Sequence, residues 1–282
     1  MSNRKIKIIV IINYSRSGGT LLTRILGMLP NVIIGSEINP LAGATPDHKA
    51  IQPHLALKKQ MKLWYDIEVD GNSFEECVQN LAEYCNLAGS HLVIRDWTHV
   101  DFIKRKENEY KPKYNFNILE QLNSIGNLKA FVFVRDAIDV YLSSSKQINE
   151  FSMAYLIYVK KILEEQFPIF KYEDLIENPD DTVKKICDLI GIEYSPDYKR
   201  FNENLKCTGD IQLGKRSRGL YKGGIVKLPR KWVACSSRKK IDACKNLIEA
   251  NSLLGYPTSY SLAKLESFGQ MIVRKMRSKI SW

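Results

Sequence analysis

Residues 6–12, IKIIVII, form an unbroken apolar and largely β-branched run that stops at a short polar loop containing Ser15, Arg16, Ser17, Gly18, Gly19 and Thr20. Apolar residues then return with helical spacing up to Leu29, just before Pro30. A strand that is apolar at every position has no solvent face, so it must lie inside a sheet covered on both sides. That requirement selects a parallel strand, and the loop and helix behind it supply the crossover. The alternative reading of the N-terminus, a secretory signal, lacks a small-residue cleavage site and runs straight into the polar loop.

The same grammar recurs along the chain. Strand-like runs occur at 32–35 (VIIG), 91–94 (HLVI), 128–134 (LKAFVFV) and 167–170. Helical spacing predicts helices near 54–66, 73–88, 152–165, 181–190 and 236–250, with another starting at Asp136. Asn72 or Ser73 opens the 73–88 helix, with Glu75 and Glu76 in its first turn. Residues 37–53 read as a loop rich in Pro, Gly, Ala and Asp, and 205–232 as a long glycine-bearing basic loop. The expected architecture is α/β: a P-loop-like three-layer sandwich with a central, mainly parallel sheet flanked by helices, in a single domain over 1–282. Ligands of such sheets bind at the carboxyl ends of the strands, where the polar clusters after residues 13, 94 and 134 fall.

The loop at 15–20 has the makings of an anion site. A helix N-terminus offers unpaired N–H groups and the positive end of the helix dipole, the glycines allow close backbone approach, and Ser17 and Thr20 add hydroxyls. The Walker form is absent, because Arg16 precedes the glycines and no Lys–Ser/Thr pair follows them. The plain alternative is a tight βα turn with an exposed arginine. A second cation, Arg135, ends the 128–134 run, with Ser143 two helical turns further on, suited to a second phosphate. The plain alternative there is an ion pair of Arg135 with Asp136 or Asp139.

These stretches resemble the sulfotransferases that use 3′-phosphoadenosine 5′-phosphosulfate (PAPS). YSRSGGTLL resembles their 5′-phosphosulfate loop, FVFVRDAIDVYLSS their 3′-phosphate motif, and residues 170–194 the segment that follows. LGKRSRGLYKGGIVKLPRKW, residues 213–232, resembles the closing basic loop of the bacterial branch. The resemblance implies a PAPS-dependent sulfotransferase releasing 3′-phosphoadenosine 5′-phosphate (PAP), without a metal. It places Arg16, Ser17, Gly18, Gly19, Thr20 and Leu21 on the 5′ side, Arg135 and Ser143 on the 3′-phosphate, and Lys215, Arg216 and Arg218 in the closing loop. Threonine is commoner than glycine at the position of Gly19. Two residues compete as general base. PNVIIGSE resembles the stretch carrying the glutamate of tyrosylprotein sulfotransferases and points to Glu37; HLVIRDWTH resembles the strand-end histidine of cytosolic sulfotransferases and points to His99. Their plain alternatives are a surface lysine partner for Glu37 and a turn cap against Asp96 or Asp101 for His99. Residues 41–89 are expected to form a helical insertion shaping the acceptor site.

Composition narrows the partners. Lys and Arg number 42 against 31 Asp and Glu, a net charge of +11 that favours anionic ligands. The basic residues accompany strand ends rather than an aromatic-studded groove, which argues against nucleic acid. Six cysteines without a CxxC pair and four scattered histidines suit reduced, buried thiols and no metal site. No run approaches the ~20 apolar residues of a membrane span, so the expected location is cytoplasmic. The basic amphipathic tail, 261–282, is compatible with peripheral membrane contact or with packing on its own domain. The acceptor stays open among glycan, lipid, small alcohol or amine, and peptide tyrosine, as does the oligomeric state. The competing reading is a P-loop kinase-like phosphotransferase, and behind it a non-enzymatic nucleotide binder.

Overall fold

A computed structural model describes residues 7–45, 49–103, 112–144, 146–201, 220–221, 224–225, 231 and 241–264. The chain divides into two compact units, one made of 1–134 and 167–227 and the other of 135–166 and 228–282. Lys215, Arg216, Arg218 and most of the 261–282 tail lie outside the described residues.

The first unit is built on five parallel strands: β1 (Lys7–Ile12), β2 (Val32–Ser36), β6 (His91–Arg95), β7 (Asn127–Val134) and β8 (Ile169–Lys171), in the order β2-β6-β1-β7-β8. β1 lies in the middle, and Ile8 through Ile12 are fully buried, as an apolar run without a solvent face demands. Alternation divides that run between the two faces. Ile9 and Ile11 join a core with Leu22, Ile25 and Leu26 of α1 (Gly19–Leu26) and Val183, Ile186 and Ile190 of α9 (Pro179–Ile190). The opposite face is covered in part by α3 (Phe74–Leu87), which contacts β1 and β6. From β1 the chain leads toward β2 and from the neighbouring β7 toward β8, so the carboxyl ends of β1 and β7 form a topological switch point.

The segment read as a loop at 37–53 is ordered differently. It forms a small antiparallel sheet of β3 (Ile38–Asn39), β4 (Ala42–Ala44) and β5 (Ala50–Ile51), packed against α2 (Pro53–Tyr65). Strands of two or three residues are too short to show a period of two, which is why the sequence did not announce them. YEDLIE, which no predicted element covered, is a helix, α8 (Tyr172–Glu177), starting where β8 ends. The remaining described elements of this unit are α4 (His99–Phe102), α5 (Asn117–Leu122), a 3-10 turn (Pro196–Arg200), and the two-residue strands β9 (Leu220–Tyr221) and β10 (Gly224–Ile225).

The second unit contains α6 (Ala137–Ser143), α7 (Ile148–Glu164) and α10 (Lys245–Leu253), with α10 packed on both others. Phe151 and Tyr155 stack at 5.5 Å within it. Cys77, Cys85 and Cys187 are buried thiols and Cys244 is half-buried, all free; burial pushes Cys85 up to about 12 and Cys187 up to about 11.

Candidate active site

The loop after β1 is a built turn. Ser17 N donates to Tyr14 O at 3.2 Å, and Arg16 takes a left-handed φ of 71° with its side chain exposed. Gly18 caps α1 with φ 88°, and no side chain caps the helix. Gly18 has no side chain with which to cap the first turn, which begins at Gly19, and the Leu21 side chain belongs to the core. Ser17 is fully buried, and its Oγ has no hydrogen-bond partner among the described residues. A buried hydroxyl without a partner costs about 1–3 kcal/mol. Beside the N-terminus of α1, whose N-cap is a glycine, it fits an oxyanion that would complete it.

Tyr172 explains the conformation of this turn. A Cβ on Gly18 would collide with the Tyr172 ring, standing 2.8 Å from Cε2. The first residue of YEDL thus lies against the glycine turn, a supporting role. Glu173 and Asp174 fall in the first turn of α8, whose N-cap residue is Lys171.

At the ends of β2 and β6 a buried polar cluster takes over. Glu37 follows β2 in a left-handed turn, φ 57°, and its backbone O accepts from Ala44 N at 2.9 Å. Its side chain pairs with Arg95, the last residue of β6, at 3.1 Å from Nη2 to Oε1. The expected plain alternative, a surface lysine, is replaced by an arginine whose side chain is 4% exposed. Arg95 Nε and Nη2 donate to Ser36 Oγ at 3.1 and 2.8 Å, and Nη1 makes a long 3.5 Å contact to Asn13 Oδ1. Asn13 Nδ2 in turn donates to Phe133 O of β7 at 3.0 Å. A Cβ on Gly19 would collide with Asn13 Oδ1 and stand 2.7 Å from Arg95 Nη1. Glycine at 19 thus leaves room for the Asn13–Arg95 pair, which a larger residue would displace.

His99 opens α4, and its ring packs against Trp97 at 5.5 Å and Tyr14 at 6.0 Å. Next to it, Asn13 N donates to Thr98 Oγ1 at 3.0 Å, and Thr98 donates to Asp96 Oδ2 at 2.6 Å. Asn39 Nδ2 donates to Asp96 Oδ1 at 2.9 Å and to Asp101 Oδ2 at 3.1 Å, and Asn117 Nδ2 to Asp101 Oδ1 at 2.6 Å. Burial, then the charge of Asp101, pushes Asp96 well above the ordinary carboxyl range. Burial likewise pushes Asp101 up to about 6, against the Asn117 and Asn39 hydrogen bonds.

The first unit thus contains the loop residues, Glu37 and His99, all following the carboxyl ends of β1, β2 and β6. The second unit carries Arg135 and Ser143. Arg135 Nη2 pairs with Asp139 at 3.3 Å, and Ser143 Oγ donates to Asp139 O at 2.7 Å. Asp136 is the N-cap of α6, accepting from Ile138 N and Asp139 N. Sequence reading left Arg95 out of the site, although it ends a buried strand just as Arg135 follows one. Asn13, Ser36 and Asn39 carried no sequence signal of their own.

Comparison with known proteins agrees with this fold. The family model described as "Sulfotransferase family" matches residues 9–196. The sulfotransferase domain from the Synechococcus PCC 7002 olefin synthase is similar with a TM-score of 0.59 at 15% identity, over 89% of this chain and 95% of that one. The sulfotransferase domain from the curacin biosynthetic pathway gives 0.56 at 16% identity, over 89% and 98%. At such identities the likeness is one of fold. No curated protein sequence matches. With a match over about two thirds of its 282 residues, the chain belongs to the sulfotransferase family.

Proposed function

We propose that the chain transfers the sulfuryl group of PAPS to a hydroxyl or amine acceptor and releases PAP, with the turn at 15–21 holding the 5′ side. The observation that carries this reading is the turn itself: a helix start whose N-cap is the glycine Gly18, beside the buried Ser17 Oγ that has no partner among the described residues. PAPS supplies the transferable group. The chain's residues do the rest. Glu37 takes the acceptor's proton, and His99 is the second candidate for that role. Arg16 and the first-turn N–H groups offset the negative charge left on the departing phosphate. Arg135 and Ser143 bind the 3′-phosphate, Asp139 holding the guanidinium in place from the other side. Lys215, Arg216 and Arg218 add cationic cover. Residues 41–89 shape the acceptor site.

Calorimetry tests the donor side directly. PAP is expected to bind without metal and more tightly than Mg-ATP, and Arg135→Ala to weaken it by about 10- to 100-fold, the loss of one charge-assisted phosphate contact of ~1.5–3 kcal/mol. A preference for Mg-ATP, or indifference to Arg135, would overturn the reading.

A further inference from the structure

A carboxylate that accepts a proton in a transfer reaction has to be held still without being walled off. Glu37 is 16% exposed at the side chain and stands in a left-handed turn, a conformation costing a residue with a Cβ about 1 kcal/mol. Its charged partner among the described residues is Arg95, and the contact engages Oε1, one of two carboxylate oxygens. Arg95 is itself fixed from three sides. Ser36, the residue before Glu37, receives Nε and Nη2; Asn13, tied to β7 through Phe133 O, faces Nη1. Nη1 also lies where a Cβ on Gly19 would come within 2.7 Å. One planar fork therefore pairs with the carboxylate and also occupies space that a side chain on the first residue of α1 would need. A lysine ammonium, a single point charge, cannot meet Ser36, Glu37 and Asn13 together.

We infer that Arg95 is a positioning residue of the transfer: its guanidinium fixes the Glu37 carboxylate relative to the Gly18–Gly19 turn. The spacing between the proton acceptor and the oxyanion cradle is then set by β1, β2 and β6 rather than by a loop. Arg95 acts through Glu37, so the inference rests on the reading of Glu37 as the base.

The test is a double-substitution cycle on the full chain. It measures PAP release from PAPS with whichever phenol, alcohol or amine wild type turns over fastest, or with water if none is faster. PAP binding is followed separately by calorimetry. Arg95→Gln and Arg95→Lys are each expected to lower kcat by about a hundredfold, the cost of an ångström-scale misplacement. The KM for PAPS and the PAP affinity should stay within about twofold of wild type, and in a Glu37→Gln background Arg95→Gln should cost no more than about twofold further. An equal fall in PAP affinity, or losses that multiply in the double variant, would overturn the inference while leaving Glu37 as base. Wild-type kcat in Glu37→Gln alone would overturn the base assignment and the inference with it. If the Arg95 variants fail to fold, Ser36→Ala, which removes the anchor of Nε and Nη2, is read in the same cycle. It is expected to show a smaller kcat loss of about tenfold, absent in the Glu37→Gln background; no loss, or the same loss in that background, overturns the inference.

Discussion

Asp96 and Asp101 are joined by a single amide donor, Asn39 Nδ2, and both are buried. Burial favours their protonated forms, so the folded chain binds more protons here than the unfolded one between about pH 4 and the raised folded values. Stability falls with rising pH wherever the folded state binds more protons. The pair's contribution therefore weakens as pH climbs from about 4 through about 6 and stays low above it, the reverse of a salt-bridged carboxylate. Asp101→Asn is expected to remove Asp101's part of this slope, while the part of Asp96, set first by burial, remains. Relative to the variant, wild type should lose on the order of 1–3 kcal/mol between pH 4 and pH 7 in urea midpoints taken across that range. Parallel pH curves for the two proteins would refute it. These two acids also mark a limit of sequence reading. Asp96 was visible as part of a polar strand end, but Asn39 and Asn117 become its neighbourhood only through the fold. Arg95 and Glu37, 58 positions apart (95 − 37), are joined in the same way.

Whole elements were easier to foresee than their pairings. The buried strands at 7–12, 32–36, 91–95 and 127–134 emerge from apolar runs alone, and Ser73 caps α3 through Glu76 N as its position suggested. The elements that sequence missed, among them the three-stranded sheet at 38–51, α4, α5 and α8, are too short to carry a period. An element-scale dependence also escapes any local reading: the start of α6 is held by α10. Asn251 Oδ1 accepts from Ala137 N at 2.7 Å, and Nδ2 donates to Asp136 Oδ1 at 3.3 Å and to Pro257 O at 2.9 Å. Asn251 is fully buried, so Asn251→Ala leaves buried polar groups without partners. It should cost about 1–3 kcal/mol, read as a lower urea midpoint with an unchanged m-value. A midpoint equal to wild type would show that water replaces the amide at no cost.

At the scale of the molecule, the charge of +11 acts on whatever anion approaches. No helix among the described residues is long and apolar enough to cross a membrane. A doubly phosphorylated nucleotide should be steered in by the summed field, and added salt should screen that steering. The association rate of PAP, followed by stopped flow, is expected to fall by about tenfold between low and high salt, with the dissociation rate changing less. An association rate indifferent to salt would confine the electrostatics to direct contacts. The overall fold class was legible because strand and helix periods are properties of consecutive residues. The polar cluster was not, because it is a property of which strand ends become neighbours.

The fit of Gly19 against Asn13 and Arg95 also orders the chain's possible histories. Threonine at this place would put its Cβ into space filled by an amide and a guanidinium, so the side chains at 13 and 95 would have to move to admit it. Three residues far apart in the sequence are thereby bound into one inherited unit, and a relative that differs at one of them is expected to differ at another.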